Sequence, residues 1–260
     1  MNYLEKFKLK KKLVFVVGGL GAIGQEIVKA TSDAGAKTII LDNNVKVSPT
    51  ILKKNNFIVE KFDVSKLSGL KKKYSILVRK YGTPDIFINT SYPKTSDWNN
   101  NSFKNITQSS FNKNIDIHLK SFSWFAKLVA DSMIVSKKKG SIIQLSSIYG
   151  VVGQDLSVYK GTNMQESMTY SIIKGGINNL THQMASYYGK YGIRVNALCA
   201  GGVQDIKQKK IFIKNYNNKV PLKRLAESKE IASVALFLAS EASSYITGTL
   251  LMVDGGWTAI

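Results

Sequence analysis

Val17-Gly18-Gly19-Leu20-Gly21-Ala22-Ile23-Gly24 follows the apolar run Leu13 to Val17 and leads into a stretch with helical periodicity. Glycines at a strand-to-helix turn permit a tight reversal and let a pyrophosphate approach the helix N-terminus, where unpaired N–H groups favour an anion. Gly18, Leu20, Ala22, Ile23 and Gly24 are therefore the first candidate binding positions. A glycine-rich turn alone is weak, so the surrounding pattern has to carry the reading.

Apolar strand-like runs recur at Leu13 to Val17, Thr38 to Leu41, Phe57 to Phe62, Ile86 to Ile88, Ser141 to Leu145, Arg194 to Leu198 and Thr249 to Val253. Amphipathic stretches alternate with them near 22–34, 66–81, 107–136, 168–189 and 228–240. Strands alternating with helical crossovers predict an α/β chain, a Rossmann-type doubly wound parallel sheet of seven strands with helices on both faces. No internal repeat or interdomain linker interrupts the pattern, and a chain of 260 residues with 44% hydrophobic content can bury one core. The expectation is a single dinucleotide-binding and catalytic domain over residues 1–260. Two polar loops, Ser91 to Asn105 and Val151 to Ser167, follow strand C-termini, the edge where such sheets bind ligands.

Asp42 ends the second strand, where a carboxylate can bind ribose hydroxyls and would repel a 2′-phosphate. No Lys or Arg stands in the glycine turn to attract that phosphate, which favours NAD over NADP. The competing reading is that Asp42 only opens a turn with Asn43 and Asn44. Asp63 closes the third strand beside Val64; it either accepts a hydrogen bond from the adenine amine or caps the following helix.

Tyr170 and Lys174 lie one helical turn apart, on one face, so the amine can lower the phenol pKa and make the phenol a usable base. With 12 Tyr and 37 basic residues such a pair arises easily by chance, and its weight comes from Ser147 and the glycine turn. The single cysteine, Cys199, excludes an internal disulfide and a multi-cysteine zinc site, and no metal is expected. A reducing cytoplasm fits. Lys8, Lys10, Lys11 and Lys12 before Leu13 superficially resemble a secretory leader, but glycines interrupt the apolar run, which reads as the first strand. No apolar segment reaches the roughly 18 residues of a membrane span.

The net charge of +20 raises nucleic acid, acidic membranes and anionic substrates as partners. Its carriers are scattered in short runs such as Lys71 to Lys73 and Lys137 to Lys139, and all but three are lysine. That distribution, with abundant asparagine, points to compositional bias or attraction of a phosphorylated or nucleotide-linked substrate, with no nucleic-acid or membrane partner expected.

The glycine turn, Phe62-Asp63-Val64, Asp85 to Asn89, Ser146-Ser147, Tyr170 with Lys174, Arg194-Val-Asn196, and Tyr245 to Gly248 through Asp254 to Trp257 together resemble the short-chain dehydrogenase/reductase family, over almost the whole chain. The resemblance implies that Ser147 polarises a substrate oxygen, Tyr170 exchanges the proton, and Lys174 binds the nicotinamide ribose. It places Asn89, Gly201 and Val203 beside the cofactor, and His118 where the family commonly has an Asn of a proton relay. His118 either preserves that relay or packs as a helical histidine. Tyr159 rivals Tyr170 by its distance from Ser147, but Asn163 replaces the lysine, so an insertion of about ten residues is placed before Tyr170 and Tyr159 becomes a substrate contact. Val17, Ala22, Thr90, Ala200 and Asp205 depart from the family pattern.

Ser146 to Val152, Val158 to Met164 and Ser91-Tyr92-Pro93 are further similar to a bacterial subgroup associated with flagellin modification and nonulosonic-acid surface sugars. This implies an NAD(H)-dependent oxidoreductase interconverting a secondary alcohol and a ketone on a sugar or nucleotide sugar, with Tyr92, Lys94 and Tyr159 meeting hydroxyls. The alternatives are a 3-oxoacyl or small-ketone reductase using NADPH, and a non-catalytic dinucleotide-binding regulator. The family's oligomer surface implies a homotetramer first and a homodimer second.

Overall fold

The computed structural model describes residues 2–45, 57–206 and 208–260. Seven strands, β1 Leu13–Val17, β2 Lys37–Asp42, β3 Phe57–Lys61, β4 Ile86–Asn89, β5 Gly140–Ser147, β6 Ile193–Ala200 and β7 Leu250–Val253, form one sheet. Their order is β3-β2-β1-β4-β5-β6-β7 and every pairing is parallel. All five residues of β1 are buried. Such runs of apolar and β-branched residues mark strands covered on both faces.

Alternation along the strands sends Phe15, Ile39, Phe87 and Ile142 to one layer, where they meet α2 (Leu70–Tyr81), α4 (Lys120–Val135) and α5 (Met168–Tyr188). Val14, Val16, Ile40, Ile88 and Ile143 face the other layer, built from α1 (Ala22–Asp33) and α7 (Ser228–Ala239). The strand order reverses between β1 and β4, opening a crevice at their C-terminal ends.

Two helical details differ from the sequence pattern. The stretch expected to run unbroken over 107–136 is α3 (Gln108–Asn114), a wide π turn (Ile115–Leu119) and α4. The wide turn carries His118, fully buried, toward the interior; such turns often sit at functional sites. A further helix, α6 (Lys210–Lys219), was not expected from its Lys- and Asn-rich sequence. It is held by tertiary packing of Phe212 and Tyr216 against Val158, Val220 and Leu225. Among the described residues no helix is long and apolar enough to cross a membrane.

Candidate active site

The glycine turn leaves β1 through Gly18, whose amide donates to Leu41 O at 2.8 Å and whose φ of +72° suits glycine. A Cβ on Gly24 would run into the carbonyl oxygen of Gly18, so helix α1 and the turn can close on each other only without a side chain there. The Asp42 carboxylate ties the turn to β2, accepting from Leu20 N at 3.0 Å and Asn44 N at 3.1 Å. It therefore does serve the local turn, and still lines the crevice.

That crevice is a cleft of about 820 Å³. Gly18, Leu20, Asp42, Asp63 and Val64 line it, and Tyr92, Pro93, Lys94 and Ile117 close its far end. Its size and its backbone-lined floor fit a dinucleotide's adenosine and pyrophosphate. Asp63 also accepts from Ser65 N at 3.1 Å and Ser65 Oγ at 2.6 Å, so it shapes the chain leaving β3. Ala22 and Ile23 open α1 outside the lining, Ile23 packing on the core. Asn89 lies below the cleft floor: its Oδ1 accepts from Ser91 N at 3.2 Å and Ser91 Oγ at 2.7 Å, fixing the exit from β4. Gly201 and Val203 extend β6, where Gly201 N donates to Val253 O at 3.0 Å and Val203 bridges to Ala226.

Ser147, Tyr170 and Lys174 converge past this cleft. Ser147 is the last residue of β5, and Tyr170 sits in the first turn of α5, where its amide donates to Ser167 Oγ at 3.3 Å. Burial is the larger influence on the Tyr170 phenol and pushes its pKa up to about 12, while the nearby Ser147 hydroxyl acts to lower it. Lys174 Nζ donates to Leu145 O at 2.9 Å and lies 5.6 Å from the Tyr170 ring centroid. Burial pulls the Lys174 ammonium down to about 7, poising it between charged and neutral at physiological pH.

His118 packs edge-on to Tyr92 at 5.3 Å and tilted on Phe122 at 5.3 Å. Burial, and then the nearby Lys174, hold its imidazole well below the usual histidine range, so the ring is neutral. Both ring nitrogens, like Asn89 Nδ2 and the Gln144 side-chain amide, lack a hydrogen-bond partner among the described residues. Buried polar atoms of this kind are costly unless water or a ligand reaches them.

Aromatic side chains wall the reacting end. The Tyr92 ring lies 5.9 Å from that of Tyr170 and 5.6 Å from Trp98, and Tyr149 lies 6.5 Å from Tyr170. Tyr159 does not compete with Tyr170: its ring stacks on Phe212 at 6.2 Å and its hydroxyl donates to Gln154 Oε1 at 3.2 Å. Tyr149, Gln154 and Trp98 were not singled out from sequence. The position of Tyr149 two residues beyond Ser147 was the available signal.

A serine hydroxyl near a phenol, with an amine over the same ring, can pass a proton to or from an oxygen placed between them. Comparison with known proteins agrees with such chemistry. A family model described as enoyl-(acyl carrier protein) reductase matches residues 19–258. The chain is 31% identical to post-translational flagellin modification protein A of Campylobacter coli, over 96% of this chain and 99% of that one. It is 28% identical to L-rhamnose-1-dehydrogenase of Scheffersomyces stipitis, over 95% and 96%. The crystal structure of a short chain dehydrogenase from Leptospira borgpetersenii with bound NAD+ matches with a TM-score of 0.87 at 30% identity, over 99% of this chain and 96% of that one. On its sheet order, its full-length matches and the residues gathered at the strand ends, the chain belongs to the short-chain dehydrogenase/reductase family of oxidoreductases.

Proposed function

We propose that this protein is an NAD(H)-dependent oxidoreductase interconverting a secondary alcohol and a ketone on a sugar or nucleotide-sugar precursor of surface glycans. The observation that carries the reading is the meeting of Ser147, Tyr170 and Lys174 beside a glycine-floored cleft edged by Asp42.

Gly18, Leu20, Asp42, Asp63 and Val64 would hold the adenosine and pyrophosphate, with Ala22, Ile23 and Gly24 shaping the turn and helix start beneath. Asn89, Gly201 and Val203 flank the nicotinamide end, where Tyr170 and Lys174 would meet the ribose. The bound nicotinamide supplies or accepts the hydride. Asp42 would repel a 2′-phosphate, which favours NAD over NADP.

In alcohol oxidation Ser147 donates a hydrogen bond to the substrate oxygen and Tyr170 takes the hydroxyl proton; in reduction Tyr170 returns it. Lys174, when protonated, stabilises the phenolate. His118, neutral beside Lys174, would pass the proton onward, as an imidazole can donate and accept.

The flagellin modification relative and the rhamnose dehydrogenase support a carbohydrate substrate. Aromatic walls carrying phenol hydroxyls suit sugar rings, which present C–H faces and hydroxyl edges. The 31% identity to a 3-oxoacyl-(acyl-carrier-protein) reductase of Buchnera aphidicola, over 96% of this chain and 98% of that one, favours a second reading, a 3-oxoacyl reductase, which requires NADPH and an apolar cleft. A cytoplasmic location and a homotetramer or homodimer complete the proposal; half-exposed Trp124 on α4 and Ile172 on α5 suit contacts with a second copy.

The test is affinity for NAD and NADP, followed by turnover of sugars, nucleotide sugars and 3-oxoacyl substrates. Tighter NAD binding and turnover confined to sugars support the proposal; NADPH-dependent acyl reduction would replace it.

A further inference from the structure

Among the described residues lining the main cleft, Lys94 is the only cation, and it stands at the end away from Asp42 and Asp63. Its ammonium lies over the Tyr92 ring, 5.9 Å from the centroid. It pairs with no carboxylate among the described residues. The acids of the cleft therefore sit at one end and its positive charge at the other.

The backbone that carries Lys94 is pinned on both sides. Pro93 fixes φ on the N-terminal side. On the other side Thr95 is clamped twice by Asn114, the fully buried last residue of α3. Thr95 N donates to Asn114 Oδ1 at 3.1 Å, and Asn114 Nδ2 donates to Thr95 Oγ1 at 2.8 Å. Thr95 O accepts in turn from Trp98 N at 3.2 Å. The Tyr92 ring is wedged 5.6 Å from Trp98 and 5.3 Å from His118. The ammonium is thus confined to the sweep of its own side chain.

The same ring sets the distance to the chemistry. The Tyr92 centroid is 5.9 Å from Lys94 Nζ and 5.9 Å from the Tyr170 centroid, which together cap the separation of Lys94 Nζ from the Tyr170 ring centre at about 12 Å. One sugar ring bearing an anionic group bridges that interval. The dinucleotide's pyrophosphate already has its counterpart in the N–H groups of the glycine turn where α1 begins. An oxidised nicotinamide is itself cationic. The negative charge that Lys94 can meet at this end is therefore the substrate's.

We propose that Lys94 is a specificity-determining residue that binds an anionic group, a phosphate or carboxylate, carried about one sugar ring's width from the reacting carbon. Sugar phosphates, nucleotide sugars and uronates are then the substrates, and neutral sugars are poor ones. A lysine ammonium takes either anion as a point charge, without demanding one orientation. This inference rests on the oxidoreductase reading with Tyr170 as the proton-exchanging group, and it deepens the sugar reading by requiring a charge.

The test measures binding and kcat/KM on the NAD-loaded protein. Glucose, galactose and N-acetylglucosamine are each compared with their 6-phosphates and UDP conjugates, and the first two with their uronates. The pair 4-hydroxycyclohexanecarboxylate and its methyl ester carries the same contrast without a sugar. Wild type should favour the charged member by roughly 10- to 100-fold, the range of one hydrogen bond to a charged group, and the preference should shrink as salt is added. Lys94→Met should collapse that ratio, Lys94→Glu should invert it, and Lys94→Arg should retain most of it. NAD affinity, titrated separately, should not follow the ratio.

Neutral compounds bound and turned over as well as charged ones, or no charged compound bound at all, overturns the proposal. A parallel fall for charged and neutral compounds in Lys94→Met does so too. An equal loss of NAD affinity in Lys94→Met also overturns it, because the ammonium then serves the dinucleotide. A preference for the cyclohexane carboxylate over its ester, lost in Lys94→Met and seen without sugar turnover, keeps the role of Lys94 and rejects the sugar reading. A preference for charged compounds in binding with full activity in Tyr170→Phe keeps it and rejects the assignment of Tyr170.

Discussion

The two ends of the proposed cofactor site are built from different materials. The adenosine end is mostly backbone: glycines that close the β1–α1 turn, the helix start, and one carboxylate bonded to Leu20 N. The reacting end is side chains delivered by segments far apart in sequence, from Tyr92 and His118 through Ser147 and Tyr149 to Tyr170 and Lys174. Backbone can present a fixed row of N–H groups to an anion with little chemistry of its own. Proton transfer needs groups whose pKa values are displaced, and burial supplies that displacement for Tyr170, Lys174 and His118.

The sharpest way to separate the two ends is Tyr170→Phe. Turnover should fall by at least about 10²- to 10⁴-fold, the scale of a lost proton-transfer group, while NAD affinity measured by titration stays near wild type. Ser147→Ala should behave likewise, and unchanged rates would remove both residues from the reaction.

The converse test is Gly24→Val. Its side chain would meet Gly18 O, a backbone atom that cannot swing aside, so the turn must open. A cost of about 1–3 kcal/mol is expected, read as a lower melting temperature together with weaker NAD binding. Retained NAD affinity would show that the turn does not cradle the dinucleotide.

Asp42→Ala probes the edge of the adenosine end. The ratio of NAD to NADP affinity should fall by roughly tenfold, the equivalent of about 1.4 kcal/mol, because a repulsive charge and a ribose contact are both removed. The catalytic rate at saturating cofactor should change little.

The smallest effect is a change of slope with pH. Lys174 is held at about 7 in the fold against its ordinary 10.5. Between those values the unfolded chain binds more protons than the folded one, so Lys174 makes stability rise with pH, and its full cost is present below about 7. Lys174→Met should be stabilising at and below neutral pH and should flatten that rise, as checked by denaturant midpoints across the window. An unchanged slope would mean that the amine is not buried as described.

The same division explains what was legible in the sequence. The glycine turn and the seven apolar runs report local geometry, and the strands fall within a residue or two of their expected limits. Tyr170 and Lys174 were readable because one helix turn sets their spacing. Helix α6 was not, since Lys and Asn favour it weakly and Phe212 and Tyr216 act only through the wall they pack on. The π turn at His118 was hidden for a related reason: an extra residue in a helical turn leaves the apolar pattern nearly intact. The path from Tyr159 through Gln154 to Ser167 depends on a loop folding back onto α5, which no local spacing encodes.

The measurement that bears most directly on the account is a crystal structure with bound NAD. The account predicts the adenosine ribose on Asp42, the pyrophosphate over Gly18 to Gly24, and the nicotinamide C4 beside the Tyr170 hydroxyl with Lys174 on its ribose. A dinucleotide that ends short of Tyr92, or that turns its reactive carbon away from Tyr170, would contradict it.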